Sequence, residues 1–187
     1  MEENVGFNER LVEQKKNIYL ELGDRSGAIE ELEKWAEAQP SNLNVLALLS
    51  EFYVLVDRAK EAADVLERIL SVDPENGRAL LLLSDMYRSN KEEELAFETV
   101  KKAFKSSQLA IDSKMRILIS NYDLSEDTVV LKQSFELIDL LIEAHPKDAK
   151  SHTIAGDFFM RTNQMEKAAA SFKVALEFDA SRFPIWQ

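Results

Sequence analysis

The sequence predicts an all-α chain built of stacked antiparallel helix hairpins, and three observations carry that expectation. The pattern Leu46, Leu49, Ser50, Tyr53, Ala62, Leu66, Ile69, Pro74 returns 34 residues later as Leu80, Leu83, Ser84, Tyr87, Ala96, Val100, Ala103. A fixed period of this length marks a helical repeat array, in which one unit buries its apolar face only against its neighbours. Ala62, Leu66 and Ile69 step by four and three residues, which places them on one stripe of a helix. No strand-like alternation competes with these stripes. Each segment is about 14 residues, too short to persist alone in water, so each helix needs a packing partner.

Taken in order, an aromatic late in one helix and a small residue early in the next mark the repeats. Tyr19, Tyr53 and Tyr87 lie 34 apart, and Ala28, Ala62 and Ala96 each follow nine residues later. The register then slips, because the next aromatic is Tyr122 and its small partner is Ser134, twelve residues on; Phe159 and Ala168 restore the nine. Pro40, Pro74 and Pro146 each close a second helix, with Gln108 and Ala180 in the equivalent places. Five repeats follow, at about 9–42, 43–76, 77–111, 112–148 and 149–182, in a single domain spanning 1–187. Three extra residues near 124–130 either lengthen a loop or add nearly a turn to the next helix, which Ser125 would cap.

Helix-end chemistry agrees with these boundaries. Asn90 with Glu93, and Asn163 with Glu166, approach a capping-box arrangement. Glu92, Glu93 and Glu94 open a segment that closes on Lys101, Lys102 and Lys105, an order that complements the helix dipole. Asp73-Pro74-Glu75-Asn76-Gly77 is a turn by composition.

The order large-apolar, small, aromatic, small, apolar, proline resembles the tetratricopeptide repeat family over roughly residues 9 to 187, as found in bacterial repeat-containing proteins. The fifth repeat carries Ala155-Gly156, Phe159, Ala168, Phe172 and Ala175 at the family's positions. Ser50 and Ser84 replace the preferred Gly, and Lys15-Lys16 replaces the Leu-Gly pair in the first repeat. The resemblance implies a right-handed α-solenoid whose first helices line a concave groove for a peptide or partner helix. Carried over by register, the groove candidates are Glu51, Asp85 with Arg88, Arg116 with Ser120, and Asp157 with Arg161. The spacings of three and four allow each pair to share a helix face. The acids Glu51, Asp85 and Asp157 argue against a clamp for an acidic tail. They suggest a ligand of both signs, or a basic and apolar segment reached through Leu55, Leu81 and Met160.

Composition bounds the function. With 45% hydrophobic residues the chain has ample material for a core, while a net charge of −11 disfavours nucleic-acid and anionic-membrane surfaces. Apolar runs such as Ala79 to Leu83 are far too short to span a bilayer. The start Met1-Glu2-Glu3-Asn4 has no signal-peptide profile, although a leader can have been removed, so the compartment stays open between cytoplasm and export. Cysteine is absent; the two histidines, His145 and His152, lie either side of Pro146 on different helices without metal-ligand spacing. Neither a glycine-rich phosphate loop nor a nucleophile elbow is present. The expectation is therefore a chain without cofactor, metal or catalytic residues.

Trp186 stands 27 residues after Phe159, where a sixth repeat would open, and Pro184 after Ser181 suits a helix start, so residues 183–187 read as its beginning. That apolar end is a candidate for end-on association, with Trp186 folding back as a cap as the alternative. Two functions follow: a non-catalytic interaction scaffold that holds a peptide or protein segment in its groove, or a structural spacer of a larger repeat protein that associates through its ends.

Overall fold

The computed structural model describes residues 9–122 and 127–179. Among them are ten helices and no strand: α1 (Glu9–Glu21), α2 (Arg25–Ala38), α3 (Leu43–Leu55), α4 (Ala59–Val72), α5 (Gly77–Ser89), α6 (Glu93–Lys105), α7 (Ile111–Tyr122), α8 (Thr128–Ala144), α9 (Ala149–Arg161) and α10 (Met165–Phe178). The chain is all-α, of the helical-solenoid class. It divides into two compact units, Met1–Ala96 and Phe97–Gln187.

In the first unit α1 packs on α2, α2 on α3, α3 on α4 and α4 on α5. Leu32, Leu46, Ala62 and Leu66 are wholly buried there. In the second unit α8 contacts α7 and α9, α7 contacts α9, and α10 packs along α9. Phe104, Leu118, Leu137, Leu141 and Phe158 form that unit's core. Burying a side chain of this kind contributes about 1.5–3 kcal/mol, so each short helix is held by its neighbours.

One turn recurs inside the repeats. Gly23, Asp57, Lys91 and Asn163 all have left-handed φ, at 73°, 61°, 64° and 58°. Around each, the next amide donates back to the aromatic marker's carbonyl at 2.8 Å: Asp24 to Tyr19, Arg58 to Tyr53, Glu92 to Tyr87 and Gln164 to Phe159. The left-handed residue's own amide reaches the carbonyl three back, as in Val54 and Arg88. This is a Schellman closure, which satisfies the last carbonyls of the first helix. The expected capping boxes give way to it. Asn90 is the C-cap of α5, Asn163 is itself the left-handed residue, and Gln164 is the N-cap of α10 without a side-chain cap bond.

Between repeats, asparagine or aspartate performs the capping. Asn42, Asn76 and Asp148 accept from amides of the following first turn. Ala110 stands in that place before α7, where its carbonyl accepts from Lys114 but it has no side chain to cap with. The insertion lengthens α8, which at 17 residues is the longest helix described, and Asp127 caps it. Ser125 lies outside the described residues.

The fourth repeat departs from the sequence reading in a second way. Counting 34 from Tyr87 lands on Asn121, whose Nδ2 lies 3.3 Å from Ser134 Oγ. The same count from Ser84 gives Leu118 and from Leu80 gives Lys114, and both are fully buried. Where a small residue is kept, the reason is visible: a Cβ on Gly156 would run into the Phe172 ring.

Candidate functional site

The candidate residues fall on first helices, and each unit presents its own set. In the first unit Glu51 on α3 pairs with Arg78 on α5. Asp85 pairs with Arg88 one turn on, at 3.2 Å, both well exposed. These carboxylates already have cations beside them, and exposed pairs of this kind contribute at most about 1 kcal/mol. Val54 and Leu55 are exposed at 48% and 53%, giving that face an apolar rim.

In the second unit a cleft of about 410 Å³ is lined by Asp112, Met115, Arg116 and Ile119 of α7 and Lys150 of α9. Asp112 and Lys150 form an ion pair at its edge. Arg116 is exposed; its Nη2 donates to Ser113 Oγ at 3.0 Å, and among the described residues it meets no carboxylate. Ile119 is 55% exposed, an apolar side chain with one face open. Ser120 does not line the cleft, and its Oγ donates to the Ile117 carbonyl at 2.7 Å.

Asp157 on α9 is half-buried and has no hydrogen-bond or ion-pair partner among the described residues; burial holds its carboxyl above the usual aspartate range. Arg161 sits exposed in the last turn of α9, where its charge complements the helix dipole. Trp186 lies outside the described residues.

Arg116 and the cleft were thus partly legible, whereas Asp112, Met115, Ile119 and Lys150 were not singled out from sequence. The signal existed. Arg78, Leu81 and Asp85 advanced by 34 give Asp112, Met115 and Ile119, and Arg78 advanced by 72 gives Lys150. Anchoring the fourth repeat on Tyr122 instead of Asn121 moved the register by one residue and hid that row.

Neither histidine joins the cleft. His152 Nε2 lies 2.8 Å from the Pro146 carbonyl and its ring stacks on Phe178, while His145 caps the end of α8. Among the described residues no group of three His, Cys, Asp or Glu side chains is placed to hold a metal ion. No described helix is long and apolar enough to cross a membrane.

The tetratricopeptide repeat family model matches residues 19–85, the segment from the first Schellman aromatic to the Asp85 pair. Over those residues the chain is similar to tetratricopeptide repeats. Two solved structures of MamA share its fold. One aligns with a TM-score of 0.54 at 17% identity over 95% of this chain and 97% of that one. The other, residues 41 to the end of MamA from Desulfovibrio magneticus RS-1, gives 0.52 at 17% identity over 94% and 97%. A curated relative, the BBSome complex member bbs-4 of Caenorhabditis elegans, is 24% identical over 84% of this chain. The alignment spans 40% of that relative's length. Tetratricopeptide repeats serve generally as protein-interaction scaffolds.

Proposed function

We propose that this repeat protein is a non-catalytic scaffold that holds a short protein segment on the first-helix face of its second unit, in the cleft between α7 and α9. The observation that carries the reading is the pairing of an open apolar floor, Met115 and Ile119, with Arg116, which forms no ion pair among the described residues while the neighbouring Asp112 is paired with Lys150. An apolar anchor on the floor with an acidic side chain toward Arg116 is the ligand chemistry that fits. The earlier expectation of a basic segment is weaker, since Glu51 and Asp85 are already matched by Arg78 and Arg88.

The curated relative is a member of a multiprotein complex, which accords with a role in assembly. The spacer reading has its own support in α1 and the turn after it, where Leu11, Ile18 and Leu22 are exposed at 46%, 54% and 74%. Peptide-display selection on the immobilised protein, followed by calorimetric titration of the selected peptides, tests the proposal. Arg116→Ala and Ile119→Asp should each weaken binding at least about tenfold, equivalent to about 1.4 kcal/mol. Peptides that bind both variants as tightly as the parent would overturn the assignment to this cleft.

A further inference from the structure

The second unit buries a lysine where its sister repeats bury leucine. Leu46, Leu80 and Lys114 occupy one position of the repeat at intervals of 34, exposed at 0%, 3% and 0%. An ammonium group in such a place demands partners, because burying an isolated charge is far more costly than burying a methyl group. Lys114 Nζ has two partners: it donates to the Ser106 carbonyl at 2.9 Å, and it lies 3.1 Å from His145 Nε2. Among the described residues no carboxylate touches it.

Two basic groups at that separation hold one proton between them comfortably and two badly. With Lys114 charged, the imidazole must present its Nε2 lone pair, so His145 is neutral and accepts. A second proton on His145 removes the acceptor and sets two cations against each other in a desolvated site. Burial and then the Lys114 charge push the His145 imidazole below its ordinary value, while Asp148 at the start of α9 acts in the opposite sense. Burial likewise pushes the Lys114 amine down.

Among the described residues, the elements around the pair supply no further counter-charge. Ser106, the residue after α6, offers its carbonyl, the α8 terminus supplies His145 itself, and Asp148 directs its carboxylate to the Lys150 amide as the α9 cap. His145 also borders a surface cleft of about 490 Å³ whose charged lining residues are Lys147, Asp148, Lys150 and Asp179, which gives protons a route to the ring.

We propose that the Lys114–His145 contact is an acid-sensitive latch, closing α7 against the end of α8 and the start of α9 while His145 is neutral and releasing them when His145 is protonated. The latch does not rest on the peptide-binding reading, since neither residue lines the α7–α9 cleft.

The full chain carries only two histidines, so both ring resonances can be followed by NMR as pH falls, alongside amide hydrogen exchange corrected for intrinsic rates. Protection in α7 and α8 is expected to drop about tenfold between roughly pH 7.5 and 5.5 while α3 and α4 change little. His145 should remain neutral to a pH below the ordinary histidine value. Lys114→Met, which restores an apolar side chain as at Leu46 and Leu80, should abolish the drop and raise the His145 titration toward the ordinary histidine value. His145→Gln, which cannot be protonated, should stay closed at the lower pH. A pH-dependent opening that persists in Lys114→Met, or in His145→Gln should the methionine variant not fold, overturns the proposal. So does a His145 titration that Lys114→Met leaves unchanged.

Discussion

Replacing Lys91 by glycine should stabilise the protein, although it removes a side chain and adds backbone freedom. Lys91 holds a φ of 64° between α5 and α6, in the place Gly23 fills one hinge earlier at 73°. A left-handed residue with a Cβ costs about 1–2 kcal/mol relative to the right-handed form. Glycine escapes that cost but loses about 0.5–1 kcal/mol more chain entropy on folding. The side chain is exposed, and the Schellman bonds are made by backbone amides, so they survive the change. Lys91→Gly should therefore gain about 0.5–1 kcal/mol.

The reverse test sits in the same motif. A Cβ on Gly23 would meet nothing within 4 Å, so the cost of Gly23→Ala, about 1 kcal/mol, is purely one of backbone conformation. Urea unfolding followed by circular dichroism, with segment-resolved hydrogen exchange at α1–α2 and α5–α6, reads both. With a slope of about 2 kcal/mol/M, Lys91→Gly should raise the midpoint by about 0.3–0.5 M at constant slope. A midpoint that is unchanged or lower, or a neutral Gly23→Ala, would refute the claim that left-handed strain is concentrated at these hinges.

Three other predictions concern caps and buried charge. Ala110→Asn supplies the cap that Asn42 and Asn76 give their helices and should add about 1 kcal/mol, visible as slower exchange in the first turn of α7. Burial raises the Asp157 carboxyl, so its ionisation opposes folding; stability is lost as pH rises through that value, and Asp157→Asn should stabilise at neutral pH by under about 1 kcal/mol, the gain vanishing in acid. Thermal melts at neutral and acid pH check this. For Glu31, burial raises the carboxyl but hydrogen bonds from Lys34 and Lys15 outweigh it and hold the group below its ordinary value. Its contribution is present above pH about 4.5 and lost as pH falls through the folded value, so Glu31→Gln should destabilise at pH 7 and less so in acid, which the same melts report.

What the sequence disclosed follows from where the physics is periodic. The apolar stripes and the tyrosines at 19, 53 and 87 repeat because each hairpin meets the same neighbours, and that fixed fold class and helix positions. Lys91 betrays nothing of its left-handed backbone by residue type, and only its spacing from Gly23 and Asp57 reveals the hinge. The fourth repeat was misread by one residue because Tyr122 is aromatic and Asn121 is not, although Asn121 keeps the spacing. The row Asp112, Met115, Ile119 was lost with it, and so was the equivalence of Lys114 with Leu80. A buried lysine is invisible to a pattern that treats lysine as surface.

The most direct test of the scaffold account is methyl NMR of the protein labelled at Met and Ile, titrated with the tightest selected peptide. The account predicts saturable shifts at Met115 and Ile119, with Leu32 and Leu66 of the first unit's core unaffected in a parallel leucine-labelled sample, and loss of those shifts in Arg116→Ala. Peptide binding that leaves Met115 and Ile119 unmoved would contradict it.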